Sequence, residues 1–176
     1  MPLDAITISA LCDELRPQLE GARIDKVQQP ERDAVLLSVR SLGRNCRLLI
    51  AAGAGNARLH FTVESIENPA EPPMFCMLLR KHLGGARLCE VVQPGFERVL
   101  RLVFDTVDEM GFPVRRSLIC EIMGKYSNII FCGENDRILG ACRAVDFTTS
   151  QKRQVLPGMT YELPPAQDKL NPLEAE

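Results

Sequence analysis

The sequence lacks several features that would assign it to a class at once. It has no tryptophan, only 5% aromatic residues and two histidines among 176 residues. No apolar run approaches the length of a membrane-spanning helix, and the mean hydropathy is −0.04. The first eight residues carry Asp4 and no basic stretch, which predicts no secretory signal peptide. These absences predict a cytoplasmic protein without a membrane partner, whose core is filled mainly by aliphatic side chains.

The seven cysteines have no zinc-finger spacing. The closest pair, Cys132 and Cys142, is ten residues apart, and only His60 and His82 are present to complete a metal site. The odd number of cysteines and their apolar neighbours favour free, buried thiols over disulfides. We therefore expect no metal site and no cofactor.

The net charge of −2 arises from segments of opposite sign. Residues 1–33 carry four basic and seven acidic side chains, whereas residues 34–66 carry four arginines and one glutamate, a net charge of +3. Residues 79–101 also reach +3, with five basic and two acidic side chains. If these two segments meet on one face, they form the positive surface that nucleic-acid binding requires. If they do not, they are scattered, solvated charges.

Hydrophobic periodicity predicts two helices among about nine short strands. The first helix has apolar residues at helical spacing from Ile8 to Leu19 and ends at Gly21. The second covers residues 74–83 and is apolar on all sides in its first six residues, which predicts a buried helix. The predicted strands cover residues 22–29, 34–40, 46–52, 58–63, 86–93, 96–105, 115–123, 127–132 and 138–147. This order predicts an α+β fold with two antiparallel sheets of short strands and two main helices.

No catalytic set is evident, because neither histidine lies near a nucleophile in a recognised motif. One alternative begins with Pro2, whose secondary amine would be exposed by removal of Met1. It would then act as a Schiff-base nucleophile, as in DNA-repair glycosylases of the formamidopyrimidine type. Those enzymes have an acid directly after the proline, whereas this sequence has Leu3. We therefore expect a protein that is not an enzyme.

Two charged residues lie within apolar strands. Alternation places Arg98 on the same face as Leu100 and Leu102, and Glu121 follows the apolar residues 118–120. A charge on an apolar face needs a partner or a solvent-open rim, so we expect Arg98 to pair with Asp4 or Glu121. Such a pair would either lock the first helix to the sheet or hold the guanidinium ready for a phosphate or a base edge.

Four stretches occur in order along most of the chain. They are residues 21–30 (GARIDKVQQP), 75–85 (FCMLLRKHLGG), 121–130 (EIMGKYSNII) and 153–161 (RQVLPGMTY). Together they resemble the N-terminal NFACT domain of the RqcH/NEMF family, long labelled fibronectin-binding protein A in bacteria. The resemblance implies a fold similar to the N-terminal domain of formamidopyrimidine-type DNA glycosylases. It also implies an NFACT-N domain over residues 1–163 and a polar, proline-containing exit segment over residues 164–176.

The resemblance implies a role in ribosome-associated quality control. Family members bind obstructed large ribosomal subunits that carry peptidyl-tRNA, and they recruit tRNA for C-terminal tailing of the stalled chain without mRNA, with alanine in bacteria. The peptide-bond chemistry belongs to the ribosome. The expected partners are therefore tRNA, the large ribosomal subunit, and the coiled coil and second RNA-binding domain that longer family members contain.

The resemblance also implies the residues that contact tRNA. By position in the family motifs, these are Asp4, Glu97, Arg98, Glu121, Lys125, Tyr126 and Asn128. Two of them depart from the family pattern, because Glu97 replaces an aspartate and Tyr126 replaces a histidine. Arg80 and Lys81 are expected to make weaker phosphate contacts. The older family label leaves a surface adhesin for fibronectin as an alternative, although the sequence shows no secretion signal or anchor.

Overall fold

The computed structural model describes residues 5–41, 43–53, 57–63, 66–94, 98–122, 127–143 and 154–162. Two helices lie among these residues, α1 at Ala5–Leu19 and α2 at Met74–Leu83. The apolar stripe predicted for α1 is buried at Ile8, Leu15 and Leu19, with Leu11 partly buried. After α1, Gly21 adopts a φ of 86°, a left-handed conformation that glycine tolerates best and that ends the helix.

Within the described ranges, nine antiparallel strands form one continuous sheet. Their order across the sheet is β4-β3-β2-β1-β5-β6-β7-β8-β9, so each strand except β1 and β5 pairs only with its neighbours along the chain. The strands are β1 (Arg23–Glu31), β2 (Ala34–Ser41), β3 (Arg44–Ala51), β4 (Arg58–Phe61), β5 (Arg87–Val92), β6 (Val99–Val107), β7 (Pro113–Glu121), β8 (Asn128–Cys132) and β9 (Ile138–Ala141).

The predicted α+β fold with two separate sheets is wrong, because β1 joins the two halves into one mainly-β sheet. The Ile24 N–H donates to the Ala86 carbonyl at 2.8 Å, and the Leu88 N–H donates to the Ala22 carbonyl at 2.7 Å. The proline-containing loop and α2 separate the halves in sequence, but β5 returns to pair with β1. The two predicted helices are confirmed.

Both helices pack on the same face of the sheet. One core cluster includes Leu19 of α1 and Leu79 of α2 together with strand residues as far apart in the sheet as Leu59 and Phe131. An ion pair of 3.8 Å between Asp33, in the β1–β2 turn, and Arg143, just after β9, also joins distant parts of the sheet order. The sheet therefore curls around the helices, which brings its two halves together as if they were two layers.

The opposite, outer face of the sheet carries two smaller apolar clusters. One contains Leu36 and Leu49 with Ile66 packed against them. The other contains Val99 and Ile119 of β6 and β7 and is covered by Val155 and Tyr161. Residues 154–162 therefore form a strap across this end of the outer face, which we call the C-terminal strap. Its backbone is tied to β9 where the Ile138 N–H donates to the Met159 carbonyl at 2.7 Å.

Helix α2 packs on the sheet, but the predicted burial holds for one of its faces only. Phe75, Leu79 and Leu83 face the core, whereas Met74 is 89% exposed and Met77 is 54% exposed. Neither helix in the described ranges is long and apolar enough to cross a membrane.

Candidate nucleic-acid interface

The structure describes five of the nine predicted contact residues. These are Arg80, Lys81, Arg98, Glu121 and Asn128. The other four, Asp4, Glu97, Lys125 and Tyr126, lie outside the described residues, as does Pro2 of the glycosylase alternative. The tRNA contacts of all nine residues stay a prediction, and the structure gives the surroundings of the five that it describes.

Arg98 lies directly before β6 and continues its register. Its carbonyl accepts a hydrogen bond of 2.9 Å from the Ile122 N–H, one residue beyond the last registered pair, Val99 and Glu121. Side chains alternate along a strand, so Arg98 lies on the same side as Leu100 and Leu102, which belong to the main core. Because Arg98 is only partly buried, its guanidinium lies at the rim of this face and not within the core.

Glu121 lies on the opposite face of the sheet from Arg98. It pairs with Val99 and Asn128, and its side chain is 0% exposed beneath the C-terminal strap. The Tyr161 hydroxyl donates a hydrogen bond of 2.7 Å to its carboxylate. The expected pair between Arg98 and Glu121 therefore does not form, because the two side chains point to different faces. The other expected partner, Asp4, lies outside the described residues, and that pair stays a prediction.

Asn128 uses both polar atoms of its amide to hold the backbone. Its Nδ2 donates to the Arg143 carbonyl at 2.8 Å, and its Oδ1 accepts from the N–H groups of Arg143 and Ile129 at 3.0 and 2.9 Å. The side chain is 3% exposed. These bonds fasten the chain that follows β9 to the start of β8.

Arg80 and Lys81, in the last turn of α2, make different contacts. The Arg80 Nε donates to the Val27 carbonyl at 2.8 Å, which anchors the helix to β1. The Lys81 ammonium lies 3.1 Å from the Glu109 carboxylate in the β6–β7 turn, and both side chains are largely exposed. Positive side chains at this position also interact favourably with the carboxyl end of the helix dipole. Of the two, Lys81 has the more exposed charge.

Sequence reasoning missed a polar cluster on the outer face. Arg101 donates to Asp136 at 2.7 and 3.4 Å, in a two-pronged contact. Its guanidinium carbon lies 5.9 Å from the centre of the Tyr161 ring, within the range of a cation–π contact. The signal in the sequence was the position of Arg101, which alternation places on the face opposite Leu100 and Leu102. Together with Glu121, these residues hold the C-terminal strap in place.

Both histidines contact neighbouring residues of the protein. The His60 Nε2 accepts a hydrogen bond of 3.1 Å from the Arg58 Nε, and its Nδ1 donates to the Phe61 carbonyl at 2.8 Å. The His82 ring lies 5.7 Å from the Phe131 ring. Burial, followed by the positive charges of Arg116 and Lys81, lowers the pKa of His82.

All seven cysteines are free thiols, and four of them are buried. Burial raises the pKa of Cys132 and of Cys142 to about 12, and it raises the pKa of Cys120 further. These three thiols are therefore protonated near neutral pH and lack the thiolate needed for nucleophilic chemistry. Within the described ranges, no three His, Cys, Asp or Glu side chains gather as a metal site would require.

A family model described as the NFACT N-terminal and middle domains matches residues 4–176. This chain belongs to the NFACT family. The match covers nearly the whole chain and agrees with the resemblance carried by the four sequence motifs.

Curated proteins similar to the chain include several named as Rqc2 homologues. The "Rqc2 homolog RqcH" of Bacillus subtilis is 39% identical over 176 residues, which cover 99% of this chain and 31% of that protein. The "Archaeal Rqc2 homolog aRqcH" of Methanocaldococcus jannaschii is 30% identical over 174 residues, covering 97% of this chain and 24% of that protein. The chain thus spans about a third, or less, of the length of these relatives.

Solved NFACT structures share the fold. The N-terminal domain of the fibronectin-binding protein PavA from Streptococcus pneumoniae matches with a TM-score of 0.90 and 35% identity, covering 98% of this chain and 65% of that one. The N-terminal part of the fibronectin/fibrinogen-binding protein from Streptococcus suis gives a TM-score of 0.90 and 37% identity, covering 99% and 66%. The single curled sheet with two helices is therefore a fold shared with solved relatives.

Proposed function

We propose that this chain is the N-terminal tRNA- and ribosome-binding module of a ribosome-associated quality control factor. In this role it helps to hold tRNA on an obstructed large ribosomal subunit that carries peptidyl-tRNA, so that the ribosome extends the stalled chain. The observation that carries the proposal is the 39% identity to RqcH over 176 residues, which include all four family motifs.

Of the three described motif residues Arg98, Glu121 and Asn128, Arg98 is the one best placed to contact RNA. It is partly exposed at the rim of the sheet, whereas Glu121 and Asn128 are buried and hydrogen-bonded within the protein. A guanidinium donates paired hydrogen bonds to phosphate or to a guanine edge. In this proposal Arg98 makes the contact, while Glu121 and Asn128 act as positioning residues for the chain around it.

The proposal is tested by tRNA binding to the Arg98→Ala variant. We expect fluorescence anisotropy with labelled tRNA to show weaker binding and a salt dependence shallower by about one unit in the log–log slope, because one charged contact is lost. Circular dichroism should show an unchanged fold. Arg137→Ala is the matched control, because Arg137 is an exposed arginine next to β9, outside the predicted site. Equal tRNA binding by wild type and Arg98→Ala would contradict the role of Arg98.

Binding to fibronectin is a second candidate, favoured by the names of the two solved relatives. It requires the protein to reach the cell surface. Fractionation of cells that express the native protein, combined with binding of the purified chain to immobilised fibronectin, separates the two candidates. Surface location together with saturable fibronectin binding would support the adhesin, whereas co-sedimentation with large ribosomal subunits would support the quality control role.

A further inference from the structure

A row of charged residues crosses the centre of the sheet in strict register. Arg40 of β2 lies opposite Arg23 of β1, and Arg23 lies opposite Arg87 of β5. We call these three residues the central arginine row. The row continues on either side with Asn45 in β3, Asp105 in β6 and Arg115 in β7, so it spans six neighbouring strands.

All three arginines point to the outer face of the sheet. Their chain neighbours Val39, Ile24 and Leu88 are buried in the main core under the helices, so alternation directs the arginines the other way. Arg23, Arg40 and Arg87 are all exposed. They lie between the two apolar clusters of the outer face, where the two halves of the sheet join.

Arg23 and Arg87 face each other at the closest spacing that an antiparallel sheet allows. The hydrogen bonds from Ile24 to Ala86 and from Leu88 to Ala22 flank this pair, which is the pattern of a non-hydrogen-bonded position. At such positions the two Cα atoms are about 4.5 Å apart and the side chains are close together. Like charges directly opposite each other destabilise a sheet. The fold therefore does not account for two arginines at this position.

Neighbouring acids do not neutralise the row. Among the described residues, no ion pair involves Arg23, Arg40 or Arg87. Asp105 lies opposite Arg87, but its carboxylate accepts a hydrogen bond of 3.1 Å from Arg115. Asp25 is an exposed acid two residues after Arg23. The three guanidinium groups thus keep a net positive charge toward solvent.

The row also answers the question raised by the charge segments. Arg40 comes from the basic segment 34–66, and Arg87 comes from the basic segment 79–101. The pairing of β1 with β5 brings one arginine from each segment to either side of Arg23. One arginine of each basic segment therefore meets Arg23 on the outer face, whereas Arg80, Lys81 and Arg98 of the second segment lie elsewhere.

We propose that the central arginine row binds the phosphate backbone of RNA, which rests on the proposed RNA-binding function and adds a second contact surface to it. Strands are spaced about 4.8 Å apart, so the outer two arginines are about 10 Å apart, within reach of successive phosphates of one strand. Guanidinium groups bind phosphate in a two-pronged geometry and remain charged at all physiological pH values.

The surroundings of the row favour RNA over an acidic protein surface. The next register position on this face holds Lys26, Ser38 and Arg47, which are polar or basic. Protein–protein interfaces have an apolar or aromatic core, and the row with its neighbours offers none. A polar, positively charged strip is typical of surfaces that follow a nucleic-acid backbone.

The test compares the 176-residue chain with a variant that carries Arg23→Gln, Arg40→Gln and Arg87→Gln. Binding of a fluorescein-labelled 20-nucleotide oligouridine is followed by anisotropy at 50 and 200 mM KCl. Three lost phosphate contacts should make the log–log salt slope shallower by about 2 for single-stranded RNA. The wild-type affinity should therefore fall roughly 20-fold more than that of the variant between the two salt concentrations.

Two controls separate loss of binding from loss of folding. The melting temperature of the triple variant should equal or exceed that of wild type, because like charges are removed. Arg87→Gln alone, with one third of the change in slope, replaces the triple variant if the latter does not fold. Arg137→Gln removes the same charge elsewhere and should leave RNA binding unchanged.

Each outcome bears on a different claim. Wild-type RNA binding that the triple substitution leaves intact overturns the assignment of the row while the proposed function stands. Absence of RNA binding by wild type overturns both. If competition shows that a poly-glutamate peptide of matched charge binds the row as tightly as the oligouridine does, the assignment of RNA as its ligand is overturned. If the triple variant loses binding and its log–log salt slope changes by more than that of Arg98→Ala, the row is a contact surface separate from Arg98.

Discussion

At the residue scale, the Glu121 carboxylate and the Tyr161 hydroxyl connect the sheet to the C-terminal strap. Glu121 is 0% exposed and accepts a hydrogen bond of 2.7 Å from Tyr161. Tyr161 is itself buried, and its backbone N–H donates to the Asp136 carbonyl at 2.7 Å. A buried acceptor that loses a donor carries the cost of its lost hydration, so this contact matters more for stability than an exposed one.

We expect Tyr161→Phe to lower the free energy of unfolding by about 1–3 kcal/mol, because it leaves a buried carboxylate with one donor fewer. Urea unfolding followed by circular dichroism measures the change. In a Glu121→Met background the same substitution should cost clearly less, since no carboxylate remains to be satisfied. An equal cost in both backgrounds would show that Tyr161 acts through packing alone.

His82 gives the second prediction at this scale. Burial, with Arg116 and Lys81 nearby, lowers its pKa in the folded chain below the value of about 6.5 expected when unfolded. As the pH falls below about 6.5, the unfolded chain therefore takes up the proton first, and the folded state loses stability. His82→Gln should remove this contribution. We expect the urea midpoint of wild type to drop more between pH 7.5 and 5.5 than that of the variant. Equal drops in the two proteins would argue against a lowered pKa of His82 in the folded state.

At the element scale, helix α2 has apolar residues on all sides, but only one of its faces packs against the sheet. Leu79 is 0% exposed against the sheet, whereas Met77, two residues earlier, is 54% exposed. The difference follows from helical geometry, since residues two apart lie on nearly opposite sides. The buried face rests on β1 and on strands of the other half, so α2 stabilises both.

We expect Leu79→Ala to destabilise the protein by about 2–5 kcal/mol, because it leaves a cavity in the main core. The control Met77→Ala removes an apolar side chain of similar size from the same helix and should cost less than about 0.5 kcal/mol. Thermal unfolding measures both. Similar losses for the two variants would mean that the exposed side of α2 is covered in solution.

Strand positions could be predicted from sequence, and strand partners could not. Short apolar runs bounded by turn residues located β2, β6 and β8 within a few residues, because a strand with a buried face needs apolar side chains. The pairing of Arg23 with Arg87 joins residues 64 positions apart, and no local pattern marks it. The two-sheet prediction failed at this pair.

The same distinction between local position and strand pairing applies to the candidate site. Alternation correctly assigned Arg98 to the face of Leu100, since that depends only on neighbours in the chain. The face of Glu121 relative to Arg98 depends on how β6 and β7 are registered, which the sequence does not specify. Asn128 matched a family motif, but its hydrogen bonds to Arg143 became visible only when β9 was placed beside β8. Which residues face each other on paired strands is therefore known only from the folded structure.

At the scale of the whole molecule, the two halves of the sheet share one core and should unfold together. Leu59 at one end of the sheet order and Phe131 near the other belong to the same cluster, and α2 contacts β1, β6 and β9. The direct backbone connection between the halves is the short β1–β5 pairing. Cooperativity therefore depends on the shared core more than on the continuity of the sheet.

The cysteines allow this to be tested without added probes. Cys120 lies in β7 within the main core with 0% exposure, and burial raises its pKa, so it reacts with thiol reagents only when the second half of the sheet opens. Leu37→Ala places a cavity in β2, in the first half, at a side chain that is also 0% exposed. It should cost about 2–4 kcal/mol. Labelling of Cys120, measured by mass spectrometry where the opening equilibrium sets the rate, should then accelerate roughly 30- to 900-fold. The control Val63→Ala, at a side chain that is 97% exposed, should leave the rate unchanged. An unchanged rate at Cys120 in Leu37→Ala would mean that the halves open independently, and the shared core would then not be the source of cooperativity.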